Sequence, residues 1–169
     1  MADTNKGRKF FVSVDVAGDS LPMPAPADLT QAEFEALKWT EVKNVGSIGE
    51  TGTDTNIVSY DELATEVTQK QKGISNAGDP EIECARNATD PGQITMRLIG
   101  SGFDKSFYAF KIEDADKPAG ALSTPTIYYM RGLATGPKRP NGRNEDFNLE
   151  VYTLGLTQLE IVVNAVQIP

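Results

Sequence analysis

Histidine does not occur in this 169-residue sequence. That single gap removes the Ser-His-Asp and Cys-His nucleophile pairs, the helical zinc site with paired histidines, and ordinary imidazole acid–base chemistry. Cysteine occurs once, as Cys84, so no disulfide can form within the chain, and with one thiol and no imidazole the sequence argues against zinc. Alternation of Cys84 with Ile82 marks it as a small buried hydrophobe. No run of about 20 apolar residues is present, and the opening MADTNKGRKF lacks the apolar stretch of a secretory peptide. The expectation is a soluble chain made in the cytosol, with no membrane partner, in which the sequon Asn87-Ala88-Thr89 stays unmodified.

Basic residues are outnumbered as well. Sixteen Lys and Arg face 24 Asp and Glu, for a formal charge of -8, and the electrostatic footprint of a nucleic-acid gripping surface is missing. The only basic cluster is Lys138, Arg139 and Arg143 in the loop GPKRPNGRN. It is read as a subunit-contact or phosphate-contact loop. Carboxylates are so abundant that Asp61-Glu62, Glu113-Asp114-Asp116 and Glu145-Asp146 read first as solvated turn residues. The glycine series GSIGETG lacks the Gly-Lys-Ser/Thr ending of a phosphate loop and carries Glu50 where an anion would approach; it reads instead as tight turns or close backbone approach. No catalytic residue, cofactor or metal ion is expected.

What is present favours sheet. FFVSVDV (10–16) alternates Val12, Val14 and Val16 against Ser13 and Asp15, the pattern of a half-buried strand. SFYAFKI (106–112), TIYYMRGLA (126–134), FNLEVYTLGL (147–156) and LEIVV (159–163) read as four more strands. Apolar positions are odd at Phe147, Leu149 and Val151, even at Leu154 and Leu156, then odd again at Leu159, Ile161 and Val163, as bulges in a curved sheet would require. Two helix starts interrupt the pattern. Thr30 and Glu33 form a capping box before AEFEALK, with Phe34 and Leu37 facing inward. Asp90-Pro91-Gly92-Gln93 combines a cap with proline at the first helical position, predicting a helix that buries Ile94 and Leu98 and ends near Gly100. Trp39 reads as a packing anchor. Segment 17–29, with three prolines in GDSLPMPAPAD, reads as an extended surface linker.

One stretch fits no core. SYDELATEVTQKQKGISNAGDP (59–80) continues an extended segment begun by Ile57, Val58 and Tyr60, but its apolar signal thins through Leu63 and Val67, and from Thr68 onward only Ile74 and Ala77 are apolar. It reads as a long hairpin or arm. The fold expected is mainly β, a sandwich or barrel with one or two short helices and a protruding arm, all within a single domain spanning 1–169.

The stretches WTEVKNVGSIGETGTDTNIVSYDELATEVTQKQKG and NAGDPEIECARNATDPGQ, followed by an aromatic strand and a C-terminal strand pair, resemble the tail tube proteins of phages with long, non-contractile tails. The resemblance spans about 38–163. It implies a β-sandwich closed by a helix, six copies per ring, and rings stacked head to tail into a tube through which DNA leaves the capsid. It also implies virion localisation, tape-measure and terminator partners, and DNA passing without specific binding. Related tubes of contractile tails and bacterial secretion machines share the architecture. In this reading the arm is an inter-ring assembly device, with Tyr60, Glu66, Thr68, Lys70, Lys72 and Ile74 as contact residues, and part of the acidic surplus lines the lumen. Two alternatives stand beside it. A β-sandwich module binding carbohydrate or a protein partner would use exposed aromatics, for which Phe107, Tyr108, Tyr128 and Tyr129 are the candidates; an enzyme would have to work through its carboxylates.

Overall fold

The computed structural model describes residues 4–14, 21–64 and 66–168. Alternation in the first apolar segment produces strand β1 (Lys9–Val14), in which Phe10, Val12 and Val14 are buried. Val16, expected on the same face, lies outside the described residues. The Thr30 capping box forms as read: the Glu33 N–H donates to Thr30 Oγ1 and the Thr30 N–H to Glu33 Oε2, starting α1 (Gln31–Ala36) with Phe34 fully buried. Strands β2 (Lys38–Val42) and β3 (Val45–Ile48) follow. Next come β4 (Asp54–Tyr60), β5 (Gln69–Asn76) and β6 (Glu81–Ala85). Asp90 then caps α2 (Pro91–Ile99), accepting from the Gln93 N–H at 3.0 Å, and Gly100 closes it. Strands β7 (Tyr108–Glu113), β8 (Ile127–Lys138) and β9 (Leu149–Val163) complete the chain.

Among the described residues, seven strands form one antiparallel sheet in the order β2-β1-β7-β8-β9-β6-β3, and β4 and β5 form a separate two-stranded sheet. The large sheet curls into a half-barrel, and strand outweighs helix 46% to 9%, which bears out the mainly β expectation. Period-2 alternation gives the sheet two apolar faces. One carries Phe10, Val12, Ile82, Cys84, Phe110, Ile112, Met130, Tyr152 and Leu154, with Met96 and Ile99 of α2 packed among them. The other carries Ala109 and Tyr129 beneath Phe34 of α1, flanked by Trp39, Ile161 and Val163. Trp39 is indeed an anchor: its Nε1–H donates to the Phe34 carbonyl at 3.2 Å and its ring sits 5.9 Å from that of Tyr129.

Four expectations need correction. The last two predicted strands are one, β9, because the polar pair Thr157-Gln158 stays paired to β8 through register shifts near Arg131. Its buried phase at 150–156 is even from the start: Glu150 and Tyr152 point into the core while Phe147 is 81% exposed. Helix α2 buries Gln93, Met96 and Ile99, with Leu98 outside; the true apolar face is rotated because a polar residue, Gln93, occupies it. Its amide bridges the carbonyls of Lys43 and Ala85. Finally, the described part of the proline-rich segment is clamped onto the sheet. Arg131 Nε donates to the Ala25 carbonyl at 2.8 Å, Gln158 exchanges two hydrogen bonds with the Leu29 backbone, and Ala25 is buried. In the glycine series, a Cβ on Gly49 would stand 2.8 Å from the Glu81 nitrogen, so close backbone approach is what that glycine permits.

Candidate assembly surface

The arm is a hairpin set off the main sheet. Strands β4 and β5 pair from Asp54↔Asn76 to Tyr60↔Gln69, with one bulge between Thr55 and Ile57. Its bounds differ from the expected 59–80. It begins five residues earlier, and 77–80 belongs to the body, where Ala77 is buried and the carbonyls of Gly78 and Pro80 accept from Leu156 and Leu154 of β9. Both faces of the hairpin show apolar side chains to solvent: Ile57 is 63% exposed, Tyr60 68% and Ile74 88%. Of the residues singled out from the sequence, Tyr60 ends β4; Lys70, Lys72 and Ile74 alternate along β5; Glu66 and Thr68 lie in the connecting loop; all six are exposed, and all but Ile74 are polar or amphipathic.

The basic loop places its three cations differently. Lys138 ends β8 opposite Val151, and Arg143 is held through its backbone N–H by Asp146 Oδ2 at 2.7 Å. Arg139 keeps a half-exposed side chain whose Nε lies 3.5 Å from Glu150 Oε1. There it meets a cluster that sequence reading missed. Glu150, on the buried phase of β9, also pairs with Arg97 Nε of α2 at 2.9 Å and Arg86 Nε at 3.2 Å, and accepts from the Tyr152 hydroxyl at 2.8 Å. Burial opposes the charge on Glu150, but the hydrogen bonds from Tyr152 and Arg97 and the charges of Arg97 and Arg139 prevail and hold the carboxyl below its ordinary 4.5. The same neighbourhood pushes the Cys84 thiol up to about 11, chiefly by burial and then by the Glu150 charge, leaving it an unreactive core residue. The signal for this cluster in the sequence was weak: a glutamate in register with Tyr152 and Leu154, and arginines scattered over three segments.

Other carboxylates hold structure. Asp114 pairs with Arg8 Nε at 2.5 Å, Glu113 with Lys111 at 3.4 Å, and Asp116 accepts from the Thr126 backbone at 2.8 Å. Among the described residues no group of three or more Cys, Asp or Glu is arranged to hold a metal ion. The four aromatic candidates do not gather into a binding face. Tyr108 and Tyr129 are buried, Tyr129 stacked 5.1 Å from Phe34. Phe107 lies under the Arg131 guanidinium at 4.7 Å, and Tyr128 lies 5.6 Å from that of Arg8.

The fold is shared with chains of an anti-feeding prophage and of an extracellular contractile injection system. A chain of the anti-feeding prophage baseplate, solved with 6-fold symmetry, superposes with a TM-score of 0.61 at 9% identity, covering 97% of this chain and 98% of that one. A chain from the sheath/tube terminator of an extracellular contractile injection system in its extended state reaches 0.64 at 8% identity, with 96% and 97% covered. A chain from the tube-terminating cap of the anti-feeding prophage reaches 0.55 at 10% identity, with 97% and 93% covered. No protein-family model matches the sequence, and no curated protein matches it.

Proposed function

We propose that this chain is a structural subunit of a phage-type tail tube, in which rings of identical copies stack head to tail around a channel for DNA. The observation that carries the reading is the β4–β5 hairpin. A lone two-stranded hairpin is marginal in water, yet this one spans 54–76 with apolar side chains exposed on both faces. It gains its stabilisation from another copy, through main-chain pairing and seated side chains. A contact between unlike surfaces of successive rings, stacked along one axis, has no rotation that closes it, so addition continues into a filament. The likeness to chains of tail-like assemblies supports this role, and the resemblance noted in the sequence extends it to six copies per ring, the non-contractile type of tail, virion location, and tape-measure and terminator partners. An acidic inner wall completes the proposal, since a conduit that made even 6 to 10 phosphate contacts would bind DNA strongly. A role in chemistry is no part of it. The binding-module alternative loses its support with the burial of Tyr108 and Tyr129.

A second reading has an observation of its own: two of the similar chains come from structures of a tube terminator and a tube-terminating cap, so a single ring at the tube end is the competing geometry. Negative-stain microscopy of the purified chain over a concentration series separates the two. Rods or stacked rings are expected. Single rings at every concentration favour the end piece, and a chain that remains monomeric throughout overturns both.

A further inference from the structure

The surplus of positive charge at Glu150 is the feature that neither the core nor the proposed tube yet accounts for. In a chain of formal charge -8, three guanidiniums converge within 3.5 Å of one carboxylate whose side chain is fully buried. Arg97 is fully engaged, since its Nη2 also donates to the Asn87 carbonyl and Gln93 Oε1. Arg86 and Arg139 are not. Each reaches Glu150 through Nε, and their side chains remain 43% and 54% exposed, which leaves guanidinium surface accessible for a carboxylate to grip. Phe147, exposed, immediately precedes Asn148, whose carbonyl accepts from the Arg86 N–H at 2.8 Å, so its backbone enters the sheet next to Arg86. Arginine with an exposed aromatic is the composition of an interface hot spot.

The complement is on the same chain. The loop joining β4 to β5 carries Asp61, Glu62 and Glu66 with no basic residue, and Leu63 at its tip is fully exposed. Donor and acceptor leave opposite ends of one strand: the hairpin rejoins the body just before Glu81, the first residue of β6, and Arg86 follows Ala85, the last, about 16 Å further along. A subunit with complementary surfaces at opposite ends pairs head to tail.

We propose that the Arg86–Arg139–Phe147 patch receives the acidic hairpin tip of a second copy, with carboxylates of Asp61, Glu62 or Glu66 on the guanidiniums and Leu63 against Phe147. This rests on the tube reading and names the surface its hairpin would meet. The test reverses the tip: Asp61→Lys, Glu62→Lys and Glu66→Lys together alter only exposed side chains, so the thermal midpoint should not move. The critical concentration for rods should rise by about tenfold or more, the effect of losing two or three interfacial ion pairs, and Arg139→Glu alone should raise it in the same direction. Adding Arg139→Glu to the reversed tip should restore part of the loss. In parallel, a Glu62→Cys, Arg139→Cys chain, with Cys84 buried, should give a ladder of covalent multimers when its rods are oxidised. Tip-reversed chains that assemble at the wild-type concentration, or rods of the double-cysteine chain that give no ladder, overturn the pairing. If removal of the whole hairpin still abolishes rods in that case, the tube reading stands without it. A wild-type chain that never assembles removes both.

Discussion

At the scale of single residues, Glu150 carries more than any other side chain. It accepts from Tyr152, pairs with arginines of three segments, and so ties α2, the end of β6 and the loop after β8 to one point on β9. Removing one partner of a buried ion pair costs about 3–5 kcal/mol. For Glu150→Gln, with Arg86 and Arg139 able to turn to water, the lower end applies: about 3 kcal/mol, a fall in Tm of about 6–12 °C at neutral pH. The sign of the pH dependence follows from the lowered carboxyl. Its contribution is complete above its unfolded value of about 4.5 and is lost as pH falls through the lower folded value. The stability difference between wild type and E150Q, measured by chemical denaturation, should therefore be constant from pH 7 to about 5 and shrink below 4.5. Glu160, pushed up by burial with its Oε2 buried and unpartnered, works in the opposite sense but is common to both chains. Equal stability of the two at pH 7 would refute this role. None of it was legible beforehand, because the arginines that make a core glutamate tolerable come together only in the folded chain, and a reading based on apolar spacing assigned Phe147, Leu149 and Val151 the inward phase.

Elements whose definition is local were the legible ones. The Thr30–Glu33 box and the Asp90–Pro91 start closed as hydrogen bonds within three residues, and β1 and β7 kept their alternation because each has one consistently apolar face. Elements defined by partners were less visible. Strand β9 was divided at Thr157-Gln158, residues that are polar because they bond to Arg131 and Leu29 across the sheet; the clamp on the proline-rich segment is the same set of bonds seen from its other end. The hairpin lay between these cases: its existence followed from polarity without a core, its bounds did not, since Ala77 is apolar and buried in the body while Ile57 is apolar and mostly exposed. Its backbone bonds, exposed and held by one pairing, should open readily in the monomer. Amide hydrogen exchange should show β4 and β5 exchanging fast in the monomer and about tenfold or more slower in rods, while β7 and β8 are protected in both. Equal protection of the hairpin in the two forms would mean that assembly does not use it.

For the whole molecule, the curled sheet and the hairpin make separate demands. The body buries two apolar faces under its helices and has a core of its own; the hairpin has none and leaves apolar and main-chain groups for something else. That division lets the account be tested by subtraction, because a short Gly-Ser link from Thr53 to Ala77 removes the hairpin and keeps the residues that bond to β9. The most direct measurement is sedimentation velocity of this shortened chain beside the full one at matched concentrations. Fast-sedimenting polymers are expected for the full chain and a folded monomer or single ring, with unchanged near-ultraviolet circular dichroism, for the shortened one. Polymers of normal size from the shortened chain would contradict this.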